Sequence, residues 1–532
     1  MTAPLWTAAT GAEIGADWLE RELAPAADFG RRARESERAF RRGDEAAARA
    51  AIGRVAAAAR SASPETLAAL REAIAACPDP TAAVVRARAG AVLGDDDFFE
   101  LTRFCDAVTR VRALAVGDAF AGVEAPPLAA GLAALLETGR TRDRSFYLAD
   151  AYDEELARAR GRAGDARARL DGERSRLTAR VAAFAGVEHV RDGEFVLMRD
   201  RANGPLPPEI HVLREAPTYF LCEVALDDAA LAALGEADAA GADVARREEG
   251  VRARLTAEVA WSAAALDDAA RALGALDSLV AKAQFARRYD AVVPTISAGT
   301  TLSFSQARLL PLRASLAEHA HRYVPLSIAL DGVGVLTGPN MGGKSAALRT
   351  CGFLAACVAL GVPVPAEEAS VPLFDRIAWI GGGEGWERTT LLSSFGRDVA
   401  QVRDALAGGA GRTLALVDEF ARTTSPREGR ALLIALLEAL RARGDVALAA
   451  THLSGIAADA RVAHYAVAGL REPPTAGGAV ASVDDAIDRI AEVMDFRVSR
   501  VDENAEPRAD ALALAEVLGL DAALVARARE VL

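Results

Sequence analysis

Lysine is almost absent from this sequence. Of its 62 basic residues only two are lysines, Lys282 and Lys344, and all the others are arginines. Aromatic residues are also scarce, at 5% of the chain, whereas alanine is abundant. A β-sandwich is not expected from such a composition, because it favours long helices that pack closely through small side chains.

Positive charge is not in excess either. The formal net charge of −13 argues against a broad nucleic-acid-binding surface, so any DNA binding should be local and sensitive to salt. The five cysteines have no metal-ligand or CxxC spacing and are expected to be reduced core residues. No apolar run reaches the roughly 18 residues of a membrane span, and no signal segment opens the chain. We therefore expect no membrane partner and a cytoplasmic protein.

A chain of 532 residues is too long for one core and predicts several domains. Helical patterns dominate an N-terminal region, residues 1–90. Two long helical runs, 153–184 and 227–290, flank short β-type segments and suggest a lever arm that goes out and returns. An ordinary antiparallel coiled coil with a decorated end fits the same periodicity. Beyond residue 295 the composition shifts to strands, loops and glycine.

The second lysine lies in a glycine-rich loop between a strand pattern and a helix pattern. The loop reads Gly338-Pro339-Asn340-Met341-Gly342-Gly343-Lys344-Ser345. Backbone N–H groups of such a loop surround phosphates, the lysine reaches the β- and γ-phosphates, and the serine hydroxyl binds Mg²⁺. The sequence therefore predicts an ATP site, with Ser345 as a metal ligand.

Three later segments carry polar residues at the expected edge of the same sheet. The apolar run 413–417 ends in Asp418, a predicted Mg²⁺ ligand, and Glu419, a predicted general base for water attack. The run 446–450 is followed by His452, either a γ-phosphate sensor or a strand-end histidine bonded to a loop carbonyl. The segment 392–395 offers Ser393 and a helix N-terminus to an anion.

Together these segments resemble the MutS family of ATPases in order and spacing. The matching residues are 337–345, 364–366, 374–377, 392–395, 418–419 and 450–452, with a weaker likeness upstream from about residue 90. The resemblance implies an α/β ABC-type P-loop ATPase domain, residues 295–532, joined to a mainly α-helical core with long lever helices and a short clamp, residues 91–294. It also implies a homodimer closed through the ATPase domains, with Ser393 acting on the partner's nucleotide and C-terminal helices supporting dimerisation.

The resemblance has one further match and one departure. Tyr323 stands where the family stacks an aromatic ring on adenine, although a core tyrosine at a strand start fits equally well. The segment after the catalytic acid reads Gly-Arg-Gly-Thr in the family, but 421–424 here reads Ala-Arg-Thr-Thr. We expect communication between the two nucleotide sites to be affected by this change.

Two functions follow from the resemblance. The first is a clamp on DNA structures, with stretches such as 158–169 supplying arginines to phosphates. The family's mismatch-reading and connector domains are not expected before residue 90, and the Phe98-Phe99-Glu100 match to its wedge motif falls in a helical pattern. The second is a protein-remodelling ATPase, similar to the reactivase subunits of cobalamin-dependent aminomutases. The acidic charge favours the second function, and the family's majority role favours the first.

Overall fold

The structure is a computed structural model that describes residues 4–141, 145–187, 190–191, 193–202, 204–339, 342–382, 394–407, 411–471, 492–506 and 511–531. The α-helices of these residues are α1 Ala8–Ile14, α2 Ala16–Glu22, α3 Asp28–Ser36, α4 Glu45–Ser61, α5 Pro64–Ala75, α6 Thr81–Arg88, α7 Asp95–Leu114, α8 Ala130–Glu137, α9 Glu154–Ala185, α10 Asp228–Trp261, α11 Ala263–Arg288, α12 Leu310–Glu318, α13 Lys344–Ala359, α14 Ser394–Leu406, α15 Pro426–Arg443, α16 Ile456–Ala460, α17 Ala511–Val517 and α18 Ala522–Val531. The strands are β1 Glu194–Met198, β2 Ile210–Glu215, β3 Tyr219–Val224, β4 Thr301–Ala307, β5 Leu326–Asp331, β6 Val333–Thr337, β7 Glu368–Ser370, β8 Arg376–Gly381, β9 Thr413–Asp418, β10 Val446–Ala450, β11 Ala463–Leu470 and β12 Met494–Val501.

The chain forms two compact units. Unit 1 contains residues 1–76, 110–125 and 271–532, and unit 2 contains residues 77–109 and 126–270. The division into three sequence segments stays a prediction, because compact units in space need not coincide with evolutionary domains. Among the described residues, none of the helices combines the length and apolarity that crossing a membrane requires.

Unit 1 is built on a six-stranded sheet in the order β12-β11-β6-β10-β9-β8. All neighbouring strands are parallel except β11 and β12. The central strands β6, β9 and β10 are buried along their whole length. Strands buried on both faces read as continuous apolar runs, which is why the sequence pattern identified them. The expected mixture of helices and parallel strands is confirmed.

Each face of this sheet is covered by helices. One core contains α13 together with apolar residues of the N-terminal helices α1, α2 and α4. A second core contains residues of α15 and α16. A separate antiparallel sheet, in the order β5-β4-β7, also contributes to the first core. The parallel sheet is therefore buried on both sides, as its composition requires.

In unit 2, α9 and α10 form a long antiparallel pair. Ion pairs join Arg162 to Asp243 and Arg169 to Glu236, so the partner residue number falls as the α9 number rises. The buried residues of α9 recur at spacings of three, four and seven, as in a coiled coil: Leu156, Ala159, Ala166, Leu170, Leu177, Val181 and Ala185. The expected long helical pair is confirmed, whereas its use as a lever stays a prediction.

Side-chain caps fix where both helices of this pair begin. Asp153 accepts hydrogen bonds from the backbone N–H groups of Glu155 and Leu156, and Asp227 accepts one from that of Ala230. The second helical run is not continuous as expected, because Ser262 separates α10 from α11 with φ −80° and ψ 0°. The three-stranded sheet β1-β3-β2 lies between α9 and α10 in the sequence. The Phe98-Phe99-Glu100 segment lies within α7, and Phe98 is fully buried.

Candidate functional site

The motifs meet at one edge of the parallel sheet. Strands β6, β10 and β9 are neighbours, and their carboxyl ends are Thr337, Ala450 and Asp418. Because parallel strands all end at the same edge, the glycine-rich loop, the acidic pair and His452 are brought there together. The crossover helix α13 starts directly after the loop, with Lys344 as its first residue.

The loop after β6 brings the chain unusually close to a neighbouring strand. Gly338 has φ +151°, and a β-carbon there would lie 2.9 Å from Cβ of Val467 on β11. Only glycine fits such a position. The Lys344 ammonium donates hydrogen bonds of 2.9 Å to the carbonyls of both Gly338 and Pro339. Asn340 and Met341 lie outside the described residues.

A hydroxyl and a carboxylate meet at the start of α13. The Ser345 hydroxyl donates a hydrogen bond of 3.1 Å to Oδ1 of Asp418. Burial raises the pKa of Asp418; the Ser345 hydrogen bond opposes this shift, and the nearby Glu419 charge adds to it. Burial lowers the pKa of Lys344, against the attraction of Glu419 and Asp418. An extra cation would therefore be attracted here, where two carboxylates lie close to one ammonium.

Glu419 occupies a strained turn. It has φ +48°, a left-handed conformation that is uncommon for residues other than glycine, and its N–H donates to the carbonyl of Ala450 at 3.0 Å. Its carboxylate oxygen lies 3.7 Å from a guanidinium nitrogen of Arg422. Backbone strain of this kind persists only where surrounding contacts enforce it, and it concentrates at functional sites.

The segment that departs from the family pattern has an unusual backbone. Ala421 has φ +59°, again in the left-handed region that favours glycine. Its N–H donates to the Asp398 carboxylate on α14 at 3.1 Å. Burial raises the pKa of Asp398, against the effect of this hydrogen bond and of two nearby arginines. The alanine therefore keeps a backbone conformation that glycine would adopt without cost.

A cavity of about 660 Å³ opens beside these groups. Lys344, Ser345, Asp418 and Glu419 line one part of it, and Tyr323 and Phe496 line another. The volume falls within the usual range for small-molecule sites. The Tyr323 hydroxyl accepts a hydrogen bond of 2.7 Å from the N–H of Leu309, and its ring packs against the first core. Tyr323 is thus both a core contact and a wall of the cavity.

Of two further predicted site residues, one lies away from this cavity and the other is outside the described residues. His452 follows β10 directly, but it is exposed and does not line the cavity. Ser393 lies outside the described residues; α14 begins at the next residue. Conversely, Phe496 and Arg422 line the cavity although neither was predicted. Arg422 lies in the segment singled out for its departure from the family, whereas nothing in the sequence distinguished Phe496 on β12.

The donor chemistry of the site fits magnesium. Hydroxyl and carboxylate oxygens are the ligands that this ion prefers, and Ser345 and Asp418 already share a hydrogen bond that a cation could replace. Among the described residues there is no group of three or more His, Cys, Asp or Glu that could hold a metal alone. Mg²⁺ commonly binds through one or two protein oxygens, with phosphates and water completing its shell.

Known proteins resemble this chain over the same region. The model of the family described as MutS domain V matches residues 334–532. The chain is 30% identical over 352 residues to "Endonuclease MutS2" of Anaeromyxobacter sp. (strain Fw109-5), which covers 63% of this chain and 43% of that protein. It is 32% identical over 349 residues to "DNA mismatch repair protein MutS" of Sorangium cellulosum (strain So ce56), and this match covers 63% of this chain and 37% of that protein.

A shorter match of higher identity involves "Endonuclease MutS2" of Pediococcus pentosaceus (strain ATCC 25745 / CCUG 21536 / LMG 10740 / 183-1w). The two sequences are 38% identical over 210 residues, and the match covers 38% of this chain and 26% of that protein. The chain thus matches less than half the length of each of these relatives. The family match begins at Gly334 in β6 and includes the phosphate loop, the acidic pair and His452. Residues 334–532 therefore match the family described as MutS domain V, and the chain is similar to the MutS and MutS2 proteins over part of their length.

Proposed function

We propose that this protein binds and hydrolyses ATP with Mg²⁺ at the cavity beside the phosphate loop. The observation that carries the proposal is the pairing of Ser345 with Asp418 at 3.1 Å, beside the buried Lys344 ammonium. In this proposal the loop hydroxyl and the strand-end carboxylate, which are 73 residues apart in sequence, hold the ion next to the triphosphate. The ion supplies charge neutralisation at the phosphates when it is bound.

Each residue has a distinct task in this proposal. Lys344 exchanges its bonds to the loop carbonyls for bonds to the β- and γ-phosphates, which it can reach as a compact point charge. Glu419 orients the attacking water and accepts its proton. Tyr323 and Phe496 contact the base in this proposal; the support is that both line the cavity and that aromatic rings offer a stacking surface. His452 as a γ-phosphate sensor would require movement toward the cavity.

The direct test is nucleotide binding and turnover by variants. Lys344→Ala should weaken binding of a fluorescent ATP analogue by at least about tenfold, because a hydrogen bond to a charged group contributes about 1.5–3 kcal/mol. A matched control is Lys282→Ala, since Lys282 is the other lysine. Its ammonium pairs with the Glu37 carboxylate at a distance of 2.9 Å, and it does not line the cavity. Unchanged binding by the Lys344 variant would contradict the site assignment.

We further propose that two copies close on each other through their ATPase domains, with Ser393 completing the partner's site. The support is the family match alone, because Ser393 lies outside the described residues. Light scattering with and without ATP, using a hydrolysis-deficient variant to hold the nucleotide, would measure dimer formation. A protein that remains monomeric at saturating nucleotide would rule this arrangement out.

DNA is the first candidate for what the closing dimer acts on, since one relative is named a DNA mismatch repair protein and another an endonuclease. Our proposed arginine contacts from 158–169 gain no support, because each arginine of that stretch already has an acidic partner. The pairs are Arg158 with Glu154 and Glu155, Arg160 with Asp150 and Glu248, Arg162 with Asp243, Arg167 with Asp171, and Arg169 with Glu236. Contact with phosphates would have to break these pairs.

A protein partner is the second candidate, and the composition of the segment between α9 and α10 favours it. Residues 187–226 contain four arginines and seven acidic residues. An acidic surface repels a polyanion and suits a protein with a basic or apolar face. ATP turnover in a salt series, with branched or mismatched duplexes, separates the two candidates. Stimulation by DNA that declines as salt rises supports DNA, and no stimulation at low salt contradicts it.

A further inference from the structure

The N-terminal segment belongs to unit 1, which contains the phosphate loop, although it lies outside the matched family domain. Strand β8 is an edge of the six-stranded sheet. Its outward-facing N–H groups at Ile377 and Trp379 donate to the carbonyl of Leu5 and the hydroxyl of Thr10, at 2.8 and 3.4 Å. Residues 5–10 thereby cover a sheet edge that would otherwise carry unpaired backbone groups.

Helix α1 also packs directly on α13, the helix that starts at the phosphate loop. Ile14 is fully buried against Gly352, where an added β-carbon would lie 2.4 Å from Cγ2 of Ile14. Phe353 lies beside Gly15 on the same contact. Such close approach leaves no room for sliding, since protein interiors are packed to the density of crystals. The position of α13 is therefore fixed in part by residues at the other end of the sequence.

One polar contact between these helices points to the magnesium ligands. Glu13 on α1 forms an ion pair of 2.8 Å with Arg349 on α13. Arg349 is four residues after Ser345 and so lies on the same face of α13, one turn further from the loop. Its guanidinium also lies over the Trp379 ring, 5.5 Å from the centroid. Ser345 on that face is hydrogen-bonded to Asp418 at 3.1 Å, so Arg349 lies one helical turn from the residue that contacts this carboxylate.

Arg349 is thus a cation that would compete with magnesium for the Asp418 carboxylate if its side chain were free to move. An arginine that is free to move near an isolated carboxylate pairs with it in a bidentate manner. A guanidinium on Asp418 would occupy the oxygens that a magnesium ion needs. Glu13 and the Trp379 ring hold the guanidinium on the side of α13 that faces α1.

We propose that Glu13 is a positioning residue for the magnesium site, which it keeps open by holding Arg349 away from Asp418. This inference rests on the proposed function, because it assumes that Asp418 takes part in binding magnesium nucleotide. Glu13 and Arg349 keep 24% and 42% of their side chains exposed, so their pair adds little to stability. The consequence of removing Glu13 should therefore appear in metal dependence rather than in folding.

The test measures how binding of a fluorescent ATP analogue depends on added MgCl₂, starting from EDTA, with turnover as a second readout. Glu13→Gln should raise the magnesium concentration at half-saturation by about tenfold, the lower end of the effect of disturbing groups that orient metal ligands. Binding in EDTA and the unfolding transition should stay as in the wild type. Glu13→Gln combined with Arg349→Gln should restore the wild-type requirement, because the competing cation is then absent.

The matched control is Glu22→Gln. Glu22 belongs to the same N-terminal segment, is 26% exposed, and pairs with Arg288 at 3.1 Å on α11 rather than with α13. Its loss should leave the magnesium requirement unchanged. An equal shift in both single variants would overturn the proposal, and so would a folded Glu13→Gln protein with wild-type magnesium dependence. A wild-type protein that binds no nucleotide at any magnesium concentration would refute the proposed function itself.

Discussion

A pair of glycine substitutions tests the packing of α1 on α13 with opposite expected signs. Gly352 and Gly53 both lie inside helices of unit 1, α13 and α4. A β-carbon at Gly352 would lie 2.4 Å from Ile14 and 2.8 Å from Leu416, which are both fully buried, whereas one at Gly53 would meet nothing within 4 Å. The same chemical change is therefore made once in a filled space and once in an open one.

The magnitudes follow from two opposing effects. Replacing a helical glycine by alanine stabilises a helix by about 1 kcal/mol, and Gly53→Ala should gain roughly that amount in free energy of unfolding. Gly352→Ala gains the same propensity, but overpacking usually costs about 1–3 kcal/mol, and here two buried neighbours must both move. We expect a net loss of about 1–2 kcal/mol, so the two variants should differ by about 2–3 kcal/mol.

The assay is urea unfolding followed by tryptophan fluorescence. Trp6, Trp18 and Trp379 belong to unit 1, so the signal reports largely on the packing in question. A chain of two units need not unfold in one step, and midpoints of the fluorescence transition are therefore the quantity to compare. A Gly352→Ala protein as stable as Gly53→Ala would refute the described contact between α1 and α13. Ile14→Ala in the Gly352→Ala background should cost less than Ile14→Ala alone, by about 0.5–3 kcal/mol.

Three further outcomes are expected. Glu419→Gln should lower the rate of ATP hydrolysis by about 10²–10⁴-fold in a single-turnover assay while nucleotide binding remains, because general base catalysis contributes a factor of that order; loss of binding to the same extent would contradict the role of Glu419. Ala421→Gly should raise the free energy of unfolding by about 0.5–1 kcal/mol. The left-handed strain at alanine costs about 1–2 kcal/mol, and the greater conformational freedom that glycine loses on folding offsets part of the gain. A destabilised variant would speak against the backbone found at Ala421. Burial raises the pKa of Cys351 to about 12 and also raises that of Cys357, so a thiol reagent at pH 8 should label neither before denaturant is added; fast labelling of the folded protein would count against this core.

The parts of the fold that the sequence predicted are those coded by short stretches. The strand before the phosphate loop, the helix after it and the strand that ends in Asp418 each have a pattern that local side chains determine. Their meeting at one sheet edge follows from the geometry of parallel strands. The caps at Asp153 and Asp227 likewise mark helix starts that lie within one residue of the expected ones.

The parts that were not predicted depend on contacts between distant residues. Alanine-rich helices with an apolar face indicate burial but not the partner, so nothing identified α13 as the neighbour of α1. Phe496 lines the cavity because β12 pairs with β11, a register that local pattern does not fix. The left-handed backbone at Ala421 was equally hidden, since alanine ordinarily indicates a regular helix.

The contact between α1 and α13 also constrains how the protein is made. A ribosome releases Ile14 roughly 340 residues before Gly352, which at about 5–20 residues per second is a delay of roughly 17–70 s. During that interval the apolar side of α1 lacks its contact with α13, whereas residues 126–270 have already emerged and can pair α9 with α10. Unit 2 is thus able to fold before unit 1 is complete, and the nascent N-terminus is the stretch that would most benefit from a chaperone.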